Sequence, residues 1–141
     1  MPAVLQVEIH PFNTCERLIR FANQLKVEMM GYSNLGHASY TELGMATSED
    51  SCLDLPLIAD MAAKYSKTPA QVILRWGVQR GTVCIPKTSS KERLAENIDL
   101  FSFSLTEDEM KSITALNKNK RFNDPGSYAE PAFGHFYPIY E

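Results

Sequence analysis

The sequence predicts an α/β fold built on a parallel sheet, and three observations carry that reading. Short apolar runs alternate along the chain with stretches of helical period. Most of the helical stretches open on a side-chain cap. A cluster of basic and hydroxyl side chains falls where a strand hands over to a helix. Alternating strands and helices imply right-handed βαβ crossovers, which leave neighbouring strands parallel.

The elements follow in order. Residues 3–9 (AVLQVEI) alternate, with Leu5, Val7 and Ile9 facing one way and Val4, Gln6 and Glu8 the other, as in a strand. Asn13 and Glu16 have the spacing of a capping box before the periodic residues Leu18, Ile19, Phe21, Ala22 and Leu25, so a helix is expected there. VEMMGY at 27–32 reads as a second strand. Residues 33–53 are rich in Gly, Ser and Thr without period, which predicts a long surface loop of the kind that is functional or flexible. A helix is expected at about 55–66. Thr68 opens the next one, with Pro69 at its first position, Gln71 completing a box and a stop at Arg80–Gly81. TVCI at 82–85 is a third strand. Ser89 with Glu92 predicts a helix to about Asn97, and Thr106 with Glu109 predicts another, with Leu105 placed to staple onto Met110. From Asn119 onward the chain has no period and is expected as an extended tail. Three strands are few for a parallel sheet, whose strands want both faces covered, so the fold reads as incomplete.

Bulk properties exclude several classes of function. The 141 residues fit one modest domain, and 44% hydrophobic and 22% charged content is ordinary for a globular chain. A formal net charge of −3 gives no global pull toward nucleic acid or anionic membrane, so an anion site has to be a local cluster. Cys15, Cys52 and Cys84 have no CxxC spacing, which favours a reducing, cytoplasmic setting over a disulfide scaffold or zinc site. The opening MPAVLQVEIHP has neither a basic start nor a long apolar run and reads as a strand, not a signal peptide or membrane span.

The strongest chemical signal is CIPKTSSKERLAEN at 84–97. Lys87, Thr88, Ser89 and Ser90 follow a strand and lead into a helix with Arg93 in its first turn. A helix N-terminus offers unpaired N–H groups, Lys87 a point charge and Arg93 a bidentate fork, which together make a phosphate cradle. An ordinary capped helix with solvated basic residues is the competing reading. Tyr32, ending the second strand, has the chemistry to stack on an aromatic ligand, though core packing is commoner. His10, before Pro11, is better read as a locally hydrogen-bonded turn histidine than as an acid or base. His37 and His135 have no partners at metal-ligand spacing.

The segments PAVLQVEIHP, GYSNLG, KTPAQVILRW, IPKTSSKERLAEN and RFNDP, in this order and spacing, resemble the aldo-keto reductases, and within them the aldose and xylose reductases. The resemblance covers essentially the whole chain. It implies strands six to eight of a (β/α)8 barrel with their helices (residues 1–118), followed by a substrate-loop-like tail (119–141). It further implies that Gln6 bonds the nicotinamide carboxamide and Tyr32 stacks beneath that ring. Ser33 and Leu35 would touch the pyrophosphate, Lys87, Thr88 and Arg93 the 2′-phosphate, and Glu96 and Asn97 the adenine. Phe122, Asn123 and Asp124 resemble the loop that shapes the substrate pocket. The cofactor so implied is NADPH, with NADH weaker.

The sequence departs from the family pattern at Asn34, where Pro is usual. The family's catalytic Tyr, Lys, Asp and His, and its Ser–Asn carboxamide pair, belong to the first half of the barrel, so none is matched here, and His10 is not the catalytic histidine. The function implied is reduction of aldehydes or aldoses, a small carbonyl compound being the partner of the longer protein, with no nucleic acid or membrane involved. The alternative is a non-catalytic half barrel that self-associates or binds dinucleotide without turnover.

Overall fold

The computed structural model describes residues 1–135. Its sheet has three parallel strands in the order β1 (Val4–Glu8), β2 (Glu28–Tyr32) and β3 (Thr82–Cys84), among the described residues. Helix α1 (Glu16–Gln24) crosses from β1 to β2. The connection from β2 to β3 carries α2 (Ala38–Thr41), a single 3-10 turn (Ser48–Asp50), α3 (Pro56–Tyr65) and α4 (Pro69–Gln79). After β3 come α5 (Lys91–Ile98), α6 (Glu107–Thr114) and α7 (Pro125–Phe133). This is the α/β architecture with parallel strands that the alternation of periods predicts.

The core lies between the sheet and α4. Ile58, Val72, Ile73 and Trp76 are buried there with Ile9 and Met29 from the strands. Helix α4 can lie close because residue 77 is glycine: a Cβ at Gly77 would stand 2.6 Å from the Cys84 sulfur. Thr68 and Gln71 form the expected reciprocal cap, and Gln71 also donates to the Asp99 carbonyl at 3.0 Å. The Trp76 indole N–H donates to Thr114 Oγ1 at 3.1 Å, which ties α6 to α4. The Thr106–Glu109 box is formed as read, with Leu105 in the core and Met110, partly buried, packed against it.

Four local expectations fail. Cys15, in the left-handed region at φ 52, stands at the N-cap of α1 without a side-chain cap. Asn13 instead spends its amide on the Glu8 carbonyl at 2.9 Å and exchanges backbone hydrogen bonds with His10, so the Asn13–Glu16 box does not form. The surface loop expected at 33–53 fails in part: residues 41–44 and 47–49 are exposed, but Asn34, Tyr40, Asp50, Ser51 and Cys52 are buried, Ala38–Thr41 is helical, and Thr47 and Asp50 make a capping box of their own. Side chains that turn inward one at a time leave no period to read. Residues 125–133 of the tail are helical, with Asp124 accepting from Gly126 N at 2.9 Å and Pro125 at the first position. The remainder of the expected tail, 136–141, lies outside the described residues. Helix α5 begins one residue later than the Ser89–Glu92 spacing implies. Ser90 is its N-cap, accepting the Arg93 N–H at 3.2 Å, while Glu92 accepts from the Ser90 hydroxyl.

The two faces of the sheet differ. Leu5, Val7 and Ile9 pack into the helical layer as the alternation requires. On the opposite face Val4 and Val83 are exposed and Gln6 stands open, donating to the Met30 sulfur at 3.0 Å. Glu8, on that same face, is nonetheless fully buried, because the chain around Phe122 covers it.

Candidate functional site

Six of the residues marked in the sequence converge on one cleft of about 360 Å³ at the C-terminal ends of the strands: Leu35, Lys87, Thr88, Arg93, Glu96 and Asn97. The loop after β3 brings Lys87 and Thr88, the first two turns of α5 bring Arg93, Glu96 and Asn97, and the loop after β2 brings Leu35. The far wall is Leu53, Asp54, Thr68, Pro69 and Ala70. Sequence reasoning did not select this wall. Thr68 and Pro69 are legible as a helix start, but their place opposite Lys87 depends on how α4 packs.

The cleft brings two cationic side chains, Lys87 and Arg93, together with the carboxyl groups of Asp54 and Glu96. Lys87 and Arg93 are exposed, and among the described residues neither forms an ion pair. Thr88 Oγ1 accepts the Ser90 N–H at 3.1 Å, which leaves its own hydrogen available to donate. Helix α5, whose N-terminus carries partial positive charge, begins directly after this loop. The donor set of a cation, a guanidinium and a hydroxyl fits a phosphate, with Leu53 giving apolar surface beside it.

Other marked residues lie outside this cleft. Gln6 and Tyr32 belong to the same sheet face, on neighbouring strands. Ser33, with a positive φ of 54°, turns the chain out of β2, and its hydroxyl meets Tyr40 Oη at 2.6 Å. Phe122 is buried with its ring stacked on His10 at 4.9 Å and on Tyr40 at 5.7 Å, so it anchors the segment and presents no surface to a ligand. Asn123 is half-buried beside it and donates its N–H to Glu8 Oε2 at 2.9 Å. His10 is the turn histidine expected, its Nε2 2.9 Å from Glu8 Oε1. Burial works to raise the Glu8 pKa, but hydrogen bonds from His10 and from the Phe122 and Asn123 N–H groups outweigh it and hold the carboxyl below its ordinary value. Among the described residues no group of three His, Cys, Asp or Glu is placed to hold a metal.

Asn34 is the residue sequence reasoning passed over as a mere departure. It is 4% exposed, and its side-chain amide donates to the Ile9 carbonyl at 3.2 Å and accepts the Ile85 N–H at 2.9 Å.

The model of the aldo/keto reductase family matches residues 1–118. The chain belongs to that family. Among curated aldo/keto reductases it is similar to a probable NAD(P)H-dependent D-xylose reductase of Emericella nidulans, 44% identical over 132 residues, covering 92% of this chain and 41% of the relative. It is also similar to the NAD(P)H-dependent D-xylose reductase of Kluyveromyces lactis, at 40% identity, covering 96% and 42%. A solved aldo-keto reductase of Bombyx mori in complex with NADP superposes with a TM-score of 0.79 at 34% identity, over 92% of this chain and 41% of that one. The chain thus spans about two-fifths of the length of the relatives it matches, and its α/β fold is that of the (β/α)8-barrel reductases. Among the described residues, no helix is long and apolar enough to cross a membrane.

Proposed function

We propose that the chain is the cofactor-gripping part of an NADPH-dependent reductase of aldehydes or aldoses, corresponding to strands six to eight of the barrel. The observation that carries this reading is the cleft in which Lys87, Thr88 and Arg93 stand together, with neither cation held in an ion pair among the described residues. Lys87 and Arg93 hold the 2′-phosphate of the adenosine ribose, Thr88 donates a hydroxyl to it, and Glu96 and Asn97 border the adenine. Ser33 and Leu35 approach the pyrophosphate. Gln6 bonds the carboxamide and Tyr32 takes the ring of the nicotinamide on the open face of the sheet. NADH lacks the 2′-phosphate, leaves both cations unpaired and binds more weakly. Asn123 and Asp124 border the substrate, a small carbonyl compound.

The bound cofactor supplies a hydride to a carbonyl carbon. The side chains of this chain bind and orient it. The resemblance assigns the family's Tyr, Lys, Asp and His to the first half of the barrel, and turnover is therefore ascribed to a reductase that carries both halves. Without a proton donor and carbonyl orientation the rate falls by several orders of magnitude.

A second reading, a non-catalytic module that self-associates, draws on the exposed apolar residues of the flanks. Phe21 on α1 with Leu25 just past its end, and Leu94 and Ile98 on α5 with Phe101 beyond it, are exposed. Molar mass in solution separates the two: a compact dimer favours the module.

The deciding experiment titrates NADPH into the chain, followed by fluorescence, with NADH and a Lys87→Ala/Arg93→Ala variant alongside. Binding that prefers NADPH and collapses in the variant supports the reading. A folded sample that binds neither dinucleotide overturns it.

A further inference from the structure

Two separate loops border the proposed cofactor, one leaving β2 at Ser33 and one leaving β3 at Ile85. Their relative position decides whether a ligand can touch both. The backbone of β2 ends its ladder with Ile9 N donating to the Tyr32 carbonyl at 3.2 Å. At Ser33 the chain turns away with φ 54°. The ladder nevertheless continues for one more step through a side chain. The Asn34 amide donates to the Ile9 carbonyl on one side and accepts the Ile85 N–H on the other, where a further peptide group of β2 would otherwise bridge β1 and β3.

Gly31 makes room for this. A Cβ at that position would stand 2.6 Å from Asn34 Nδ2, so the amide lies directly against the backbone of β2. Both polar ends of the amide are satisfied, and the group is buried. A planar amide with one donor and one acceptor pointing opposite ways is what this place requires. Leucine has the volume but neither bond, and aspartate lacks the donor toward Ile9.

We propose that Asn34 is a positioning residue that locks the loop after β2 to the start of the phosphate loop after β3, and so sets the spacing between the pyrophosphate and 2′-phosphate grips. The proposal rests on the cofactor reading above. It requires Asn34 to affect a ligand that spans both loops more than one that reaches only Lys87 and Arg93.

The test compares NADPH with adenosine 2′-monophosphate, which has no pyrophosphate, on the unsubstituted chain and on Asn34→Leu. The expected result is a loss of about tenfold in NADPH affinity with adenosine 2′-monophosphate held within about twofold. Equal losses for the two ligands, or no loss for NADPH, overturn the proposal. If the unsubstituted chain binds neither ligand, the cofactor reading itself has failed, which is a different result. Hydrogen exchange provides a check that needs no variant. The Ile85 amide is expected to exchange slowly before any ligand is added, and an Ile85 amide exchanging as fast as that of exposed Ser89 overturns the lock.

Discussion

Glu8 and Phe122, separated by 114 positions, are joined at 2.8 Å, the carboxylate of the one accepting the backbone N–H of the other. Asn123 N and His10 Nε2 complete the same carboxylate's shell. A single buried charge in β1 thereby fixes where the segment following α6 returns to the sheet.

Replacing that charge should release the segment. Glu8→Ala leaves two backbone N–H groups buried without an acceptor, and we expect a loss of about 2–4 kcal/mol in unfolding free energy. Denaturant unfolding measures the loss, and hydrogen exchange should show faster exchange at Phe122 and Asn123 than at Val72. Unchanged exchange at both amides would mean the carboxylate is not what holds them.

Gly31→Ala tests the close approach of Asn34. The added methyl meets the Asn34 amide nitrogen and the Ile9 side chain, so either the amide or β1 must shift. The expected cost is about 1–3 kcal/mol. A glycine in a strand otherwise gains stability on replacement by alanine, so a neutral or stabilised variant would contradict the packing described.

Acid should expose the contribution of Glu109. Partial burial works to raise its pKa, but hydrogen bonds from Lys64, Tyr65 and the Thr106 N–H prevail and bring it to about 2. A carboxyl lowered from its ordinary 4.5 contributes stability that is complete above that value and disappears as the pH falls toward about 2. Glu8, also lowered, acts in the same direction. Glu109→Gln should therefore lose less stability than the unsubstituted chain between roughly pH 5 and pH 2, which thermal melts at both pH values would measure. Parallel losses in the two proteins would remove Glu109 from the account.

Cysteine chemistry reports on the connection between β2 and α3. Burial pushes the Cys52 thiol up to about 12, and the residue has no exposed surface. Alkylation with iodoacetamide at about pH 8 should leave Cys52 intact in the folded chain and modify it after denaturation. Rapid labelling of Cys52 without denaturant would mean that residues 33–53 open more freely than their buried side chains imply.

Much of the site was legible because its chemistry is local. Lys87, Thr88 and Arg93 lie within seven consecutive residues at a strand-to-helix junction, and that junction alone places a helix N-terminus beside them. The Thr68–Gln71 and Thr106–Glu109 boxes were readable for the same reason, each being closed by residues three apart. The Asn13–Glu16 and Ser89–Glu92 spacings were equally good as patterns and failed, because His10 and the Glu8 carbonyl claimed Asn13 and Ser90 claimed the Arg93 N–H.

The sequence by itself determined the order of the three strands and of helices α1, α3, α4, α5 and α6, the parallel sense of the strands, the family resemblance and the basic cluster that meets the proposed phosphate. Each of these rests on interactions between residues close along the chain, or on the periods of 2 and 3.6 that secondary structure imposes. The tertiary structure alone decided that Asn34 bridges Ile9 and Ile85, that Glu8 receives the backbone at Phe122, and that Thr68 and Asp54 face Lys87 across the cleft. These partners are distant in sequence, and a buried polar side chain takes whichever donor or acceptor the folded chain brings within reach. Polar residues in an otherwise apolar setting can be noticed in the sequence, but their partners are named only by the packing.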